Sequence, residues 1–319
     1  MAFERPIREL ESQLAELEEL SKRTNLDISE EVSGLRTRLA EEIASAYADL
    51  TPWERVNVAR HQDRPTVSDY IERAFDESFE LHGDKVFGED RAIVCSLARI
   101  GEQRFLVLGN RKGRTTKERM SYNFGCAHPE GYRKALRKMK LAEKLGLPIV
   151  SLINTPGAYP GIGAEERGQA TAIAENILAM FSIRTPILVI VVGEGGSGGA
   201  LGIGIGDRVL MLEYSYYSVI SPEGCAAILW KDAERTPDAA TALKLTAPDL
   251  RELKLIDGVI PEPPGGAHRN PAAALAEMRR AIARELEALQ KIPTDELLAL
   301  RRRKYRRAGE IPGRFPVLD

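Results

Sequence analysis

Cysteine and net charge are both scarce in this sequence, and each shortage excludes a class of protein. The 319 residues include three cysteines, at positions 95, 126 and 225. Cysteines so few and so far apart form neither a disulfide framework nor a zinc-ligand spacing. The 45 Lys and Arg residues against 47 Asp and Glu leave a net charge of −2, so no global attraction to nucleic acid is expected. We therefore expect a protein of a reducing compartment that binds no metal through this chain.

Long apolar runs are missing as well. No run reaches the ~20 residues that are needed to span a bilayer, and Glu194 interrupts the longest candidate. Residues 1–6 carry charge where a signal peptide needs an apolar core. These absences predict a cytoplasmic protein without a membrane partner.

Hydrophobic periodicity divides the chain into three parts. Apolar residues at three- and four-residue spacing predict two amphipathic helices before residue 50, and the Thr51-Pro52-Trp53-Glu54 sequence is typical of the start of a third. Strand patterns begin near residue 90. We predict a helical N-terminal region over 1–80, which serves packing or oligomerisation, a catalytic α/β domain over 81–290, and a basic C-terminal tail over 291–319.

The most informative segment joins a buried strand to a glycine-rich turn. Residues 187–192 are a continuous apolar run, the turn is predicted to begin at Gly193, and a helix-compatible pattern resumes at Ala200. The first N–H groups of a helix lack intrahelical acceptors, and glycine lets a ligand approach them closely. This arrangement favours a pocket for an anion or for a developing oxyanion.

A second loop of the same kind precedes it by one strand. Residues 155–161 read Thr-Pro-Gly-Ala-Tyr-Pro-Gly and also lie between a buried strand and a helix. If the two strands are parallel, both loops open at the same edge of the sheet, where ligands bind. Neither loop contains a His, Asp or Cys that serves as a base or nucleophile.

Three chemical interpretations of the glycine turn remain open on the residues alone. Gly193-x-Gly195-x-x-Gly198, with Glu213 twenty residues on, matches a dinucleotide fingerprint. Gly195-x-Ser197-x-Gly199, with Asp257 and His268 downstream, matches a hydrolase nucleophile elbow. In the third interpretation, Gly198 and Gly199 present backbone donors to an oxyanion. The helix after the 155–161 loop starts with Glu165 and Glu166, a charge that a dinucleotide-binding helix would avoid, and a base is missing; both observations favour the third interpretation.

Basic residues cluster in two places that precede the glycine turn. Lys112 and Arg114 lie in a polar loop after a predicted strand hairpin, where they are candidate anion contacts. On the helix predicted from Pro129 to Leu145, Arg133, Lys134 and Arg137 are expected to form a solvated face.

Long sequence segments resemble one known family. They are NTPGAYPGIGAEERGQ at 154–169, GEGGSGGAL at 193–201, YSVISPEGCAAILWK at 217–231 and LKLIDGVIPEPPGGAHRNP at 253–271. The chain resembles the α subunits of bacterial acetyl-coenzyme A carboxylase carboxyltransferase over essentially its whole length. The resemblance implies an α/β fold of the crotonase/ClpP type, a superhelix of repeated β-β-α units.

The resemblance also implies a reaction and its partners. The family transfers the carboxyl group of carboxybiotin, a co-substrate on the biotin carboxyl carrier protein, to acetyl-CoA, giving malonyl-CoA for fatty-acid synthesis. It implies an α2β2 heterotetramer with a zinc-binding β subunit that completes the active site, and association with biotin carboxylase in the full complex.

Site residues follow from the same resemblance. Gly198 and Gly199 are expected to donate to the biotin carbonyl oxygen. The wall of the biotin pocket is assigned to Gly157, Ala158, Tyr159 and Pro160, and the phosphates of CoA or the carboxylate of carboxybiotin to Lys112 and Arg114. The competing hypotheses are a serine hydrolase that uses Ser197 and a non-catalytic scaffold subunit.

Overall fold

The computed structural model describes residues 1, 3–24 and 27–308, and its centre is a mixed β-sheet. In chain order the strands are β1 (Glu77–Glu80), β2 (Ile93–Ile100), β3 (Gln103–Asn110), β4 (Ile149–Thr155), β5 (Ile187–Gly196), β6 (Arg208–Leu212), β7 (Tyr216–Ser218) and β8 (Gly258–Ile260). Their spatial order is β1-β2-β3-β4-β5-β6-β8, and β7 pairs with the end of β5. The β1–β2 and β2–β3 pairs are antiparallel, and the remaining pairs are parallel.

Helices surround this sheet and precede it. In chain order they are α1 (Arg5–Thr24), α2 (Ser29–Ala48), α3 (Pro52–Ala59), α4 (Val67–Arg73), α5 (Thr116–Ser121), α6 (Pro129–Lys144), α7 (Ile162–Glu166), α8 (Gln169–Met180), α9 (Ser197–Leu201), α10 (Pro222–Trp230), α11 (Thr236–Ala242), α12 (Ala247–Glu252), α13 (Pro271–Gln290) and α14 (Thr294–Arg307). The predicted α/β class is confirmed. None of the helices among the described residues is both long and apolar enough to cross a membrane.

The two central strands explain why the sequence forms this sheet. Every residue of β4 and β5 is buried, as continuous β-branched runs require when both faces are covered. Alternate residues of β5 point to opposite layers: Val189 packs towards α6 and α8, whereas Ile190 packs towards α4 and α13. Each such side chain stabilises the fold by roughly 1.5–3 kcal/mol. Ile149 pairs with Ile187 in parallel register, so the carboxyl ends of β4 and β5 meet at one edge, as predicted.

The helix α6 corrects one expectation about charge. Lys134, predicted to be solvated, is fully buried: its Nζ contacts the Glu89 carboxylate and donates to the Asp90 carbonyl at 2.6 Å. Arg133 is also mostly covered and pairs with Asp84 at 3.1 Å. Only Arg137 is exposed as expected. The segment that precedes β2 folds over this face of the helix, and amphipathic periodicity within α6 carries no sign of that distant segment.

Within the predicted basic tail, residues 294–307 form the docked helix α14. Leu297 and Leu298 are buried, Leu297 in the core cluster that packs on the sheet, and Arg301 is fully buried with Asp207 as its partner at 2.7 Å. The remaining tail residues, 309–319, lie outside the described residues.

Candidate active site

The strand β5 continues further than the sequence suggests. It runs to Gly196 rather than ending before Gly193, and Ser197 opens the short helix α9. Gly193 and Gly195 therefore lie within the strand, where side chains would press on neighbours. A Cβ at Gly193 would lie 2.6 Å from Asn154 Oδ1, and one at Gly195 would lie 2.9 Å from the Tyr217 ring. Gly193 and Gly195 therefore allow close packing within the strand and do not form a turn. Because a dinucleotide fingerprint requires a turn at these glycines, the dinucleotide-binding interpretation is disfavoured.

The two glycine loops touch each other backbone to backbone. A Cβ on Gly199 would collide with the backbone of Gly157 and Ala158, and one on Gly196 would collide with Pro156. By contrast, a Cβ on Gly198 would meet only Ile173, at 3.9 Å. The predicted pocket loops are thus adjacent. The two predicted donor residues differ, because Gly199 is packed against the other loop and Gly198 faces open space.

Backbone donors are available at this turn. The N–H groups of Gly198 and Gly199 belong to the first turn of α9, so they have no acceptor inside the helix. Ser197 has a left-handed backbone, with φ of +53°, which turns the chain sharply between strand and helix. Donors arranged in this way suit an oxygen that gains negative charge during a reaction.

Among the residues that the structure describes, no hydrogen bond joins Ser197 to Asp257 or His268. Asp257 accepts from the Val209 N–H at 2.7 Å, and Val209 pairs with Val189 near the start of β5. Ser197 follows the other end of that strand, about 26 Å away at ~3.3 Å per residue. His268 lies beside Glu4, at 3.4 Å. The serine, acid and base of the hydrolase hypothesis are therefore not brought together.

Tyr159 is held by its neighbours at the mouth of the second loop. Its ring stacks on His128 with centroids 4.1 Å apart, and its N–H donates to the Ala127 carbonyl at 3.0 Å. His128 in turn lies with Nδ1 3.1 Å from Asp90. Gln169 donates to the Tyr159 carbonyl at 2.9 Å. These contacts fix the position of the loop formed by residues 157–160.

The structure separates Lys112 from Arg114. The Nζ of Lys112 contacts the carboxylate of Glu194, inside the site. Arg114 is half exposed and pairs with Asp69 on α4 at 2.8 Å. Between them Gly113 adopts a φ of +76°, a conformation that glycine accepts readily, and the two side chains diverge.

Sequence reasoning missed a buried ionic network around Glu194. Glu194 Oε1 accepts from Arg60 Nε at 2.7 Å and from the Tyr216 hydroxyl at 2.8 Å. Arg60 also pairs with Glu223 on α10. One signal was visible in the sequence, because an acidic residue inside an apolar strand pattern is rarely buried without partners.

The electrostatics of Lys112 follow from this network. Burial, followed by the nearby charges of Arg60 and Arg119, lowers the pKa of Lys112 to about 8. The Glu194 carboxylate, which contacts Nζ, acts in the opposite direction and favours the charged amine. Lys112 is therefore a cation near neutral pH that loses its charge on the alkaline side.

One group of side chains in the described part of the chain is close enough to share a metal ion. Glu4, His61 and His268 have ligand atoms within 4.8 Å of one another. Glu4 Oε1 already accepts from the Tyr47 hydroxyl at 2.6 Å and lies 3.3 Å from the Arg269 guanidinium. The positive charge of Arg269 at that distance disfavours binding of a metal cation. The three side chains therefore form a hydrogen-bonded contact that docks α1.

Comparison with known proteins decides the family. The sequence matches the acetyl co-enzyme A carboxylase carboxyltransferase-like family over residues 1–309. This chain belongs to that family. It is 50% identical over 309 residues to the acetyl-coenzyme A carboxylase carboxyl transferase subunit alpha of Rhodopirellula baltica, covering 97% of both chains. It is likewise 50% identical to the subunit of the same name from Thermus thermophilus, covering 97% of this chain and 98% of that one.

Two solved structures share the fold. Transcarboxylase 12S superposes with a TM-score of 0.60 at 21% identity, covering 76% of this chain and 45% of that one. The β subunit of geranyl-CoA carboxylase from P. aeruginosa gives a TM-score of 0.57 at 20% identity, covering 77% of this chain and 46% of that one. This carboxyltransferase-family chain thus spans less than half of either protein, and the likeness concerns the fold.

Proposed function

We propose that this family member is the α half of a carboxyltransferase that moves the carboxyl group of carboxybiotin to acetyl-CoA, giving malonyl-CoA. One observation carries the proposal most directly. Two backbone donors without acceptors stand at the carboxyl edge of a parallel sheet, beside a second glycine loop. Neither loop supplies a base or a nucleophile, which suits a reaction in which the protein mainly positions reactants and stabilises charge.

In this proposal Gly198 and Gly199 donate to the ureido carbonyl oxygen of biotin while negative charge develops on it. The open space at the Gly198 α-carbon fits a planar carbonyl approaching the two N–H groups. The loss of one such donor typically lowers the rate by roughly a hundred- to a thousandfold. Residues 157–160 wall the pocket, with Tyr159 held by its stack on His128.

The basic residues have proposed roles in binding anions. Lys112, at the carboxyl edge, and Arg114, further out, contact the carboxylate of carboxybiotin or the phosphates of CoA. Because they diverge, the two residues meet different groups.

The partner proposals follow the family. The name "subunit alpha" of the relatives supports a partner subunit, which we propose to be a zinc-binding β subunit in an α2β2 heterotetramer. That subunit supplies the donors for the acetyl thioester. The biotin carboxyl carrier protein delivers carboxybiotin, biotin carboxylase completes the complex, and the free cysteines are consistent with a cytoplasmic location.

The test is malonyl-CoA decarboxylation with biocytin as acceptor, measured for this chain, for the β subunit and for their mixture. We expect activity in the mixture alone. Activity of this chain by itself would contradict the shared site. A Gly198→Val variant that forms the complex and keeps full activity would instead support the scaffold hypothesis.

A further inference from the structure

A buried carboxylate sits on the strand that leads into the glycine turn. Glu194 precedes Gly198 by four residues, and its side chain is 4% exposed. Its two oxygens meet Arg60, Tyr216 and Lys112. The three partners come from three different elements or loops, so a single side chain joins distant parts of the molecule at the site.

Stability alone is a poor explanation for this arrangement. Removing charges from water is costly, and a buried ion pair is often no more stabilising than apolar side chains of similar volume. The preceding strand residues, Val191 and Val192, show that apolar side chains pack well there. A charge at residue 194 therefore indicates a task beyond holding the sheet together.

The connections of Glu194 identify that task. Arg60 ends α3 in the helical N-terminal region, and Lys112 follows β3 at the carboxyl edge. Tyr216 begins β7 and pairs with Glu194, and the rest of β7 pairs with the two glycines that end β5, one residue before the donors. Glu194 thus ties the strand end that carries the turn to the cation at the same edge.

We propose that Glu194 is a positioning residue for carboxyl transfer: it orients Lys112 at the carboxyl edge and fixes the strand end that carries Gly198 and Gly199. The inference rests on the proposed function. It also assigns a role to α3, because Arg60 shares the same carboxylate and holds Glu223 of α10 as well. The N-terminal region then contributes to the active site in addition to packing.

The proposal has a signature in the pH profile. The charged and titratable groups facing Lys112 are Glu194 from β5, Arg60 from α3, Arg119 from α5 and Cys126 from the loop before α6. Among them Glu194 is the acidic one that contacts Nζ. Without its charge, burial and the charges of Arg60 and Arg119 disfavour the protonated amine, and of the remaining groups only Cys126 acts against them, so Lys112 loses its proton at lower pH.

The main experiment compares two isosteric variants in the complete complex with the β subunit. In Glu194→Gln the side chain keeps its shape and loses its charge. In the malonyl-CoA decarboxylation assay we expect kcat to fall by about ten- to a hundredfold with little change in KM for malonyl-CoA. We also expect the alkaline limb of the rate to move about one pH unit lower.

The matched control is Glu262→Gln. Glu262 is equally buried and pairs with Arg64, but it follows β8 and contacts neither Lys112 nor the glycine turn. We expect Glu262→Gln to lower the melting temperature to an extent comparable with Glu194→Gln, without shifting the pH profile of the rate. If both variants change rate and profile alike, or if Glu194→Gln changes neither, the positioning role is wrong.

A second variant keeps the test decisive if Glu194→Gln does not fold. Lys112→Arg retains a cation that does not titrate below pH 12, so the alkaline limb should disappear, and a limb that stays in place overturns the proposal. If the wild-type mixture shows no carboxyltransferase activity, the proposed function fails. If the wild type is active and the variants behave normally, only this inference fails.

Discussion

The two ends of strand β5 carry two different buried ionic networks. At the amino end, Arg301 from α14 binds Asp207 through two donors, at 2.8 and 2.7 Å, and donates to three backbone carbonyls. All five of its N–H donors are used. At the carboxyl end, Glu194 binds Arg60 and Lys112. Beside it lie the N–H groups of Gly198 and Gly199, which have no acceptor within α9. The amino edge is closed by the protein itself, and the carboxyl edge leaves donors for a ligand.

This difference separates stability from chemistry along a single strand. The buried guanidinium of Arg301 uses all its donors to fix α14 to the sheet, so it has no N–H group left to bind a substrate. At the carboxyl end, the N–H groups of Gly198 and Gly199 are available because the two loops there consist largely of glycine, with no side chains to cover the backbone. Substitutions at the two ends should therefore affect different measured quantities.

The largest expected effect on activity is at Gly199. In Gly199→Val the new side chain collides with the backbone of Gly157 and Ala158, so the two loops must separate. We expect carboxyltransferase activity to fall by at least about a hundredfold, measured in the mixture with the β subunit. Gly198→Ala, whose Cβ meets only Ile173 at 3.9 Å, is the control and should preserve the melting temperature. Equal destabilisation by both would contradict the packing difference.

The amino end should show the opposite pattern. Arg301→Met leaves Asp207 buried without its cation and frees three carbonyls. The free energy of unfolding should fall by about 3–5 kcal/mol, as when one partner of a buried pair is removed, measured by urea denaturation. Activity per folded molecule should stay near wild type. A specific loss of kcat at unchanged stability would show that the two ends are not separate in function.

A smaller, pH-dependent effect is expected where α1 docks. Burial raises the pKa of Glu4, but hydrogen bonds with His268 and Tyr47 and the charge of Arg269 outweigh it and hold that pKa well below its ordinary value. A lowered pKa stabilises the fold above the unfolded-state pKa of about 4.3, and this stabilisation is lost as the pH falls. Glu4→Gln should lower the melting temperature at pH 7 and change it less at pH 3. Equal losses at both pH values would argue against the ionic contact.

The smallest effect is expected at Ser197. In the structure Ser197 is exposed and has neither Asp257 nor His268 as a partner. Ser197→Ala should leave the decarboxylation rate within about twofold, because the left-handed turn is made by backbone that Ala can adopt at modest cost. Near-complete loss of activity in a folded complex would revive the hydrolase hypothesis.

Much of the framework could be predicted from the sequence because it depends on local pattern. The runs at 149–153 and 187–192 are strands, Pro129 and Pro271 begin helices, and the two glycine loops meet at one edge. The sequence predicts that β5 ends before Gly193, whereas the strand continues to Gly196. Glycines usually mark a turn, but here they lie in a strand that packs tightly against its neighbours.

The sequence by itself determined the buried strands, the loop positions and the family, since periodicity, turn chemistry and long motifs are written within short segments. Only the tertiary structure decided which charges are paired. Lys134 meets residue 89, Glu194 meets Arg60, and Arg301 meets Asp207, across 45, 134 and 94 positions respectively. A charged side chain is tolerated in the interior only where a distant element brings its partner, and that meeting depends on how the whole chain packs.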